Sequence, residues 1–320
     1  MRYTVLGALL GGSLLLVSCG SPEQPAEDTE TGTGMPEEAS SAPAEAPEPA
    51  APDYSDLANV LAADWRGEAA ERDVWRHPEE TLDFLGVDPG STVVEIWPGG
   101  GWYSDILGPW IAANGGTFLP AHFPASSPSE YQQRSRAAFE TRIENNSAYG
   151  DVEIVDFSAA GGLTVPDGSV DAVLTFRNVH NWMNNGFAEH AFDEFYDALR
   201  PGGVLGVVEH RLPSSREQDP MASSGYVQQD YVIAMAEEAG FELVDASDIN
   251  ANPADTADHP LGVWTLPPVR RSLDEGDEGY EEFDRAHFDA IGESDRMTLR
   301  FRKPAETAEP DAADGEDGEE

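Results

Sequence analysis

In 320 residues this chain has one cysteine, Cys19, and one lysine, Lys303. A single thiol excludes an intrachain disulfide and any cysteine-based metal cluster, so the fold must stand on its core alone. Base is scarce throughout: 18 Lys and Arg face 61 Asp and Glu, a net charge of −43. That field repels polyanions, which argues against nucleic acid or an anionic lipid surface as a partner. The acidity fits a solvated surface adapted to salt, or else a face for a basic partner. A bilayer-spanning run is also missing near the start, because the apolar stretch 5–17 is too short for a stable transmembrane helix. After Arg2 it reads as the h-region of a signal peptide.

Leu16-Val17-Ser18-Cys19 resembles a bacterial lipobox. The resemblance implies loss of residues 1–18, lipidation of Cys19, and a membrane-anchored lipoprotein of the cell envelope facing the periplasm. Gly20 after the cysteine favours the outer membrane. Residues 19–52, rich in Pro, Ala and Glu, cannot bury enough apolar surface to fold and read as a disordered acidic linker. Residues 304–320 have the same character, which leaves 53–303 as one globular domain.

Within that domain, strand and helix patterns alternate. Residues 53–85 read as helices, with Leu57, Val60 and Leu61 on one stripe and Val74 and Trp75 on another. Strands are expected at 92–96, 116–120, 152–156, 169–176, 204–208, 241–246 and 295–301. Ser129 is placed to cap a helix with Tyr131, Ser135, Phe139 and Ile143 four apart, and further helices carry Phe187, Ala191, Phe195 and Leu199, and residues 227–239. No helix separates the last two strands, which predicts a mostly parallel α/β sheet with one late strand.

The most informative stretch is Val93–Leu107, VVEIWPGGGWYSDIL, in which a β-branched run ends in an acid and three glycines ahead of a helix. Glycines there let a ligand approach the backbone, and the helix start offers unpaired N–H groups. It is not the nicotinamide fingerprint, because Ser104 stands where the third glycine would be needed. The pattern resembles motif I of class I S-adenosylmethionine (SAM) dependent methyltransferases, in a bacterial branch of predicted methyltransferases with EIWPGGGWYS. The usual motif has a further glycine where this chain has Trp97. LRPGG before the fifth strand and the GESDRMTLRF ending extend the resemblance over about residues 75–303. It implies a Rossmann-like seven-stranded sheet with strand 7 antiparallel between strands 5 and 6, helices on both faces, and SAM as cofactor.

The ligand crevice of such a sheet lies at the carboxyl ends of its strands. The resemblance then implies cofactor contacts from Glu95, Pro98, Gly99 and Gly101, although Glu95 could instead cap its own loop. The family usually ends strand 2 with an acid for the ribose hydroxyls. This chain has none there, and His122 is the nearest substitute. Asp156 and Phe157 match the adenine-binding pair, or else are a solvated acid beside a core ring. Asn178 completes the expected cofactor set. His180 and His210 follow parallel strands and are candidate general bases, with ordering of their own loops as the alternative. Trp102, Tyr103, Trp182, Arg211 and Trp264 are candidates for the acceptor pocket, although aromatic packing that seals the sheet is a common use. His180, His190 and His210 lack local ligand spacing, so no metal is expected.

Two functions remain open on sequence. One is a SAM-dependent methyltransferase acting on an O, N or S nucleophile of a small-molecule acceptor. The other is a non-catalytic small-molecule-binding lipoprotein on the same fold, favoured by the missing strand-2 acid.

Overall fold

The computed structural model describes residues 52–305. The expected signal peptide, Cys19 and nearly all of the two acidic segments lie outside the described residues. Strands run β1 Thr92–Ile96, β2 Thr117–His122, β3 Val155–Ser158, β4 Gly162–Leu163, β5 Val170–Phe176, β6 Leu199–Leu212, β7 Val227–Gln228, β8 Glu242–Ser247 and β9 Arg296–Arg302. The helices are α1 Leu57–Leu61, α2 Asp73–Arg76, α3 Pro78–Leu85, α4 Ser104–Ala113, α5 Glu130–Glu144, α6 Val179–Asn184, α7 Ala188–Ala198, α8 Gln229–Glu238 and α9 Arg285–Ile291. Among the described residues no helix is long and apolar enough to cross a membrane.

The sheet order is β4-β3-β2-β1-β5-β6-β9-β8, with β7 paired to β6. Pairing is parallel from β3 through β2, β1 and β5 to β6, and β9 lies antiparallel between β6 and β8. This is the Rossmann-like architecture expected from the alternating pattern, with two short additions, β4 and β7. The order reverses at β1, so the loops after β1 and β5 diverge and open a crevice between them.

Alternation along β1 feeds two cores. Val94 and Ile96 face a layer with Trp182, Phe192 and Phe195, while Val93 faces Ile106, Leu107, Phe118 and the α3 residues Leu82 and Leu85. Ser129 caps α5 as its spacing indicated, accepting from Gln132 N.

Four elements differ from the expectation, the first being that a helix, α9, does separate the last two strands, β8 and β9. β3 starts three residues late: β2 reaches it only at Ala121 and His122, and the Ile154 carbonyl is taken by Arg136. LRPGG, expected to precede its strand, lies inside β6, because Leu199 already pairs with Val170 across a bulge. Val74 and Trp75 form no buried stripe, at 67% and 37% exposed, because the short α2 turns Arg76 inward instead.

Candidate functional site

β1 runs into Trp97-Pro98-Gly99-Gly100-Gly101 before α4. Trp97, Gly99 and Gly101 have φ of 44°, 58° and 79°, the left-handed region that costs glycine nothing. Trp97 is held there by contacts on its ring: Nε1 donates to the Phe157 carbonyl at 3.1 Å, and the indole packs against Phe123 and Trp182. The residue that stands in place of a motif glycine thus keeps a glycine's backbone. A Cβ at Gly99 or Gly100 would meet nothing within 4 Å, so their backbone is open to a ligand. Gly101 differs, because a Cβ there would lie 2.7 Å from Arg142 Cδ and 3.3 Å from Phe139. That glycine admits α5 and does not face the crevice.

The crevice is a cavity of about 690 Å³ at the carboxyl ends of β1, β2, β5 and β6. Of the cofactor candidates, Pro98, Gly99, His122 and Asn178 line it. Asn178 also ties the strand ends together, donating to the Ile96 carbonyl at 2.8 Å. Four candidates do not reach it. Glu95 is sealed beneath the loop, accepting from the Ser104 hydroxyl at 2.6 Å, and burial pushes its carboxyl up to about 8. Gly101 packs as described. Asp156 is claimed by Arg136 at 2.6 Å, and Phe157 lies fully buried against Phe195.

Of the acceptor candidates, Trp102 and Trp264 line the cavity. Tyr103 is buried, stacked on Phe176 with ring centroids 3.6 Å apart. Trp182 is fully buried, since it lies with Val179 and Met183 on the core face of α6. Arg211 is held in a fork by Asp295 at 2.9 and 3.0 Å and belongs to a second, smaller cavity.

His180 and His210 both line the main cavity, their rings 5.4 Å apart. Glu209, fully buried between them, accepts from the His180 and His210 backbone N–H groups and lies 3.0 Å from His180 Nδ1. A carboxylate beside Nδ1 favours the tautomer with the proton on that nitrogen, which leaves Nε2 as an acceptor. His210 Nδ1 lies 2.6 Å from Ser294 Oγ, and burial, His180 and Arg177 hold its pKa well below the usual histidine range. His180, Glu209 and His210 offer ligand atoms all within 4.8 Å of one another. The nearby Arg177, Arg296 and Arg76 charges oppose a cation there. His190 lies apart on α7, close to Glu194.

On the opposite rim, His122 Nδ1 accepts from Phe123 N at 2.8 Å, and burial together with the Arg136 charge lowers its pKa to about 4. The neutral ring therefore carries its proton on Nε2, a buried donor with no partner among the described residues. An open glycine backbone, an unpaired donor in place of the strand-2 acid and a large cavity together suit a nucleoside-bearing cofactor such as SAM.

Sequence reasoning passed over Glu209, Arg177 and Asn181 as individual site residues. One signal was present: Arg177 directly follows β5, where a residue faces the crevice. No local pattern marks Arg72 or Arg142, which come to the cavity from helical segments far along the chain.

Residues 127–207 match a family model described as a methyltransferase domain. The chain is 26% identical over 205 residues to a sterol 24-C-methyltransferase of Gibberella zeae, a match covering 60% of this chain and 50% of the relative. It thus spans about half the length of that curated relative. Among solved structures, a SAM-dependent methyltransferase from Aquifex aeolicus is similar with 17% identity and a TM-score of 0.45, covering 61% of this chain and 93% of the other. The [4+2]-cyclase SpnF is similar with 18% identity and a TM-score of 0.47, covering 72% of this chain and 80% of the other.

Proposed function

We propose that the domain is a SAM-dependent methyltransferase that transfers a methyl group to an O–H or N–H acceptor, carried on a lipoprotein anchored through Cys19. The observation that carries the reading is the convergence, in one cavity, of an open Gly99-Gly100 backbone and the Glu209-oriented His180. The match over residues 127–207 supports it. When bound, SAM supplies an electrophilic methyl on a sulfonium, so an acceptor lone pair makes the new bond as the carbon–sulfur pair returns to sulfur.

The chain's own residues do the rest. The Gly99-Gly100 backbone and the His122 Nε2–H donor would hold the cofactor. Trp102 and Trp264 exclude water from the acceptor side. His180 Nε2 takes the proton the acceptor loses, and Glu209 fixes the ring and stabilises the imidazolium that forms.

Calorimetry of the full chain with SAM and S-adenosylhomocysteine tests the binding step, and saturable binding of both is expected. His180→Ala is expected to slow single-turnover transfer by ~10²- to 10⁴-fold at unchanged SAM affinity. A wild-type protein that binds neither compound overturns the reading in favour of a non-catalytic binding lipoprotein. The anchor is tested separately: Cys19→Ser should release the protein from membranes, and an unacylated, soluble wild type would rule the anchor out.

A further inference from the structure

In a chain of net charge −43, the inner wall of the cavity is positive. Arg177 stands at its centre. Its φ of 63° is a left-handed backbone that an arginine keeps only where its surroundings impose it, and its N–H donates to the Val208 carbonyl at 2.7 Å. Arg177 lines the cavity, its guanidinium makes no ion pair or hydrogen bond to any described residue, and burial lowers its pKa to about 10, so it stays charged at neutral pH.

Glu293 is the carboxylate that acts on it most strongly, and that carboxylate is already shared. Glu293, 3% exposed, already answers Arg72 at 2.6 Å, Arg76 at 2.9 Å and Arg296 at 3.0 Å. One carboxylate therefore serves three guanidiniums, with Arg177 as a fourth charge in the same field. Both Nη atoms of Arg76 and Nη2 of Arg72 are buried without partners. A cation drawn out of water without a partner is costly, and no carboxylate among the described residues pairs with Arg177. The walls beside it are aromatic, from Phe176, Trp102 and Trp264.

We propose that the acceptor is a small amphipathic anion, an aromatic or apolar body bearing a carboxylate or phosphate, whose anionic group is bound by Arg177. A guanidinium matches either group with paired N–H donors. Arg177 and His180 line the same cavity, so holding the anion at the first presents the acceptor's hydroxyl or amine to Nε2 of the second. Arg177 is thus a specificity-determining residue. The proposal rests on the methyltransferase reading for the chemistry that follows, but its test reads binding alone.

The full chain is titrated with 4-hydroxybenzoate, phenyl phosphate and the neutral 4-hydroxybenzamide, following tryptophan fluorescence with and without S-adenosylhomocysteine. The expected result is that at least one of the two anions binds ~10- to 100-fold more tightly than the amide, the size of a lost charge-assisted bond. Arg177→Gln should erase that ratio and Arg177→Lys should keep part of it, with S-adenosylhomocysteine affinity unchanged in both. Equal binding of amide and anions by the wild type overturns the proposal whether or not the variants fold. So does a folded Arg177→Gln protein that keeps the ratio, or the absence of saturable binding by either anion. An anion preference that survives in a protein unable to bind SAM would support the anion site and overturn the transfer reading.

Discussion

The two rims of the crevice are built differently. On the β1–β2 side the wall carries no net charge: open glycine backbone, Pro98, a His122 kept uncharged, and an Arg142 answered by Asp105. On the β5–β6 side it is charged, with unpaired Arg177 beside the His180–Glu209–His210 group. The neutral rim comes from a strand, a turn and the end of the next strand, close together in sequence. The charged rim draws on residues 72, 76, 177, 209, 293 and 296, and Arg72 and Arg76 are tied to Glu293 by ion pairs that span more than two hundred positions. One rim supplies shape and unpaired donors, and the other supplies field and base. This division is what a transfer between a bound cofactor and an incoming acceptor requires.

The charged rim is the easier to break. Glu293→Gln leaves Arg72, Arg76 and Arg296 without their shared carboxylate, and removing one partner of a buried ion network costs about 3–5 kcal/mol. Urea unfolding at pH 7 measures the loss, and a change under 1 kcal/mol would mean that the network is not holding the helices to the sheet. Burial alone would raise the Glu293 carboxyl, but the surrounding arginines hold it down at about 2. Its stabilisation is therefore present above its ordinary value of 4.5 and lost as pH falls toward 2.

Glu95, on the neutral side, has the opposite sign. Burial raises it to about 8, so between pH 4.5 and 8 the folded chain holds a proton that the unfolded chain has released. Its contribution is complete below 4.5 and is lost as pH rises through 8. Glu95→Gln cannot ionise, so relative to wild type it should gain a few kcal/mol, at most about 4, between pH 5 and 8.5. Parallel pH profiles for the two proteins would show that Glu95 ionises freely, and that Ser104 and burial do not act on it as described.

Gly101→Val separates packing from binding on the neutral rim. Valine would have to hold φ near 79° with its Cβ against Arg142 and Phe139, a loss of about 2–4 kcal/mol in thermal or urea stability. A variant that keeps full stability but loses cofactor would return Gly101 to the ligand contacts.

The fold was legible because its signals are local and repeated: β-branched runs, turn glycines and the cap at Ser129 each mark an element without reference to the rest. Adjacent residues of one motif were harder to separate. Trp102 reaches the cavity while Tyr103 stacks on Phe176, and nothing in the dipeptide says which ring turns inward. Gly101 could not be told from Gly99, since what distinguishes them is Arg142, carried in on a later helix. The Asp156-Phe157 pair lies outside the cavity lining for the same kind of reason, because Arg136 on α5 pairs with the carboxylate and the core takes the ring. His180 and His210 were found because histidines at parallel strand ends are few. Glu209 was passed over as a partner because its role depends on a pairing between two loops.

The smallest expected effect bears most directly on the cofactor. His122 stands where the resembled family has an acid, and the two differ in kind: a carboxylate accepts two hydrogen bonds, whereas this ring, with Nδ1 already occupied by Phe123 N, offers one donor. The exchange predicts a weaker hold on the cofactor than an acid would give, and it fixes what removal should do. His122→Ala loses one neutral hydrogen bond, which corresponds to about a 2- to 12-fold loss of S-adenosylhomocysteine affinity in calorimetry. Rates at saturating cofactor should stay within about twofold, because the base lies on the other rim. His180→Ala should give the reverse pattern, a large loss in rate with affinity intact. If His122→Ala leaves affinity untouched, the neutral rim does not hold the nucleoside. If it lowers the saturated rate as far as His180→Ala does, the two rims do not divide the work between them.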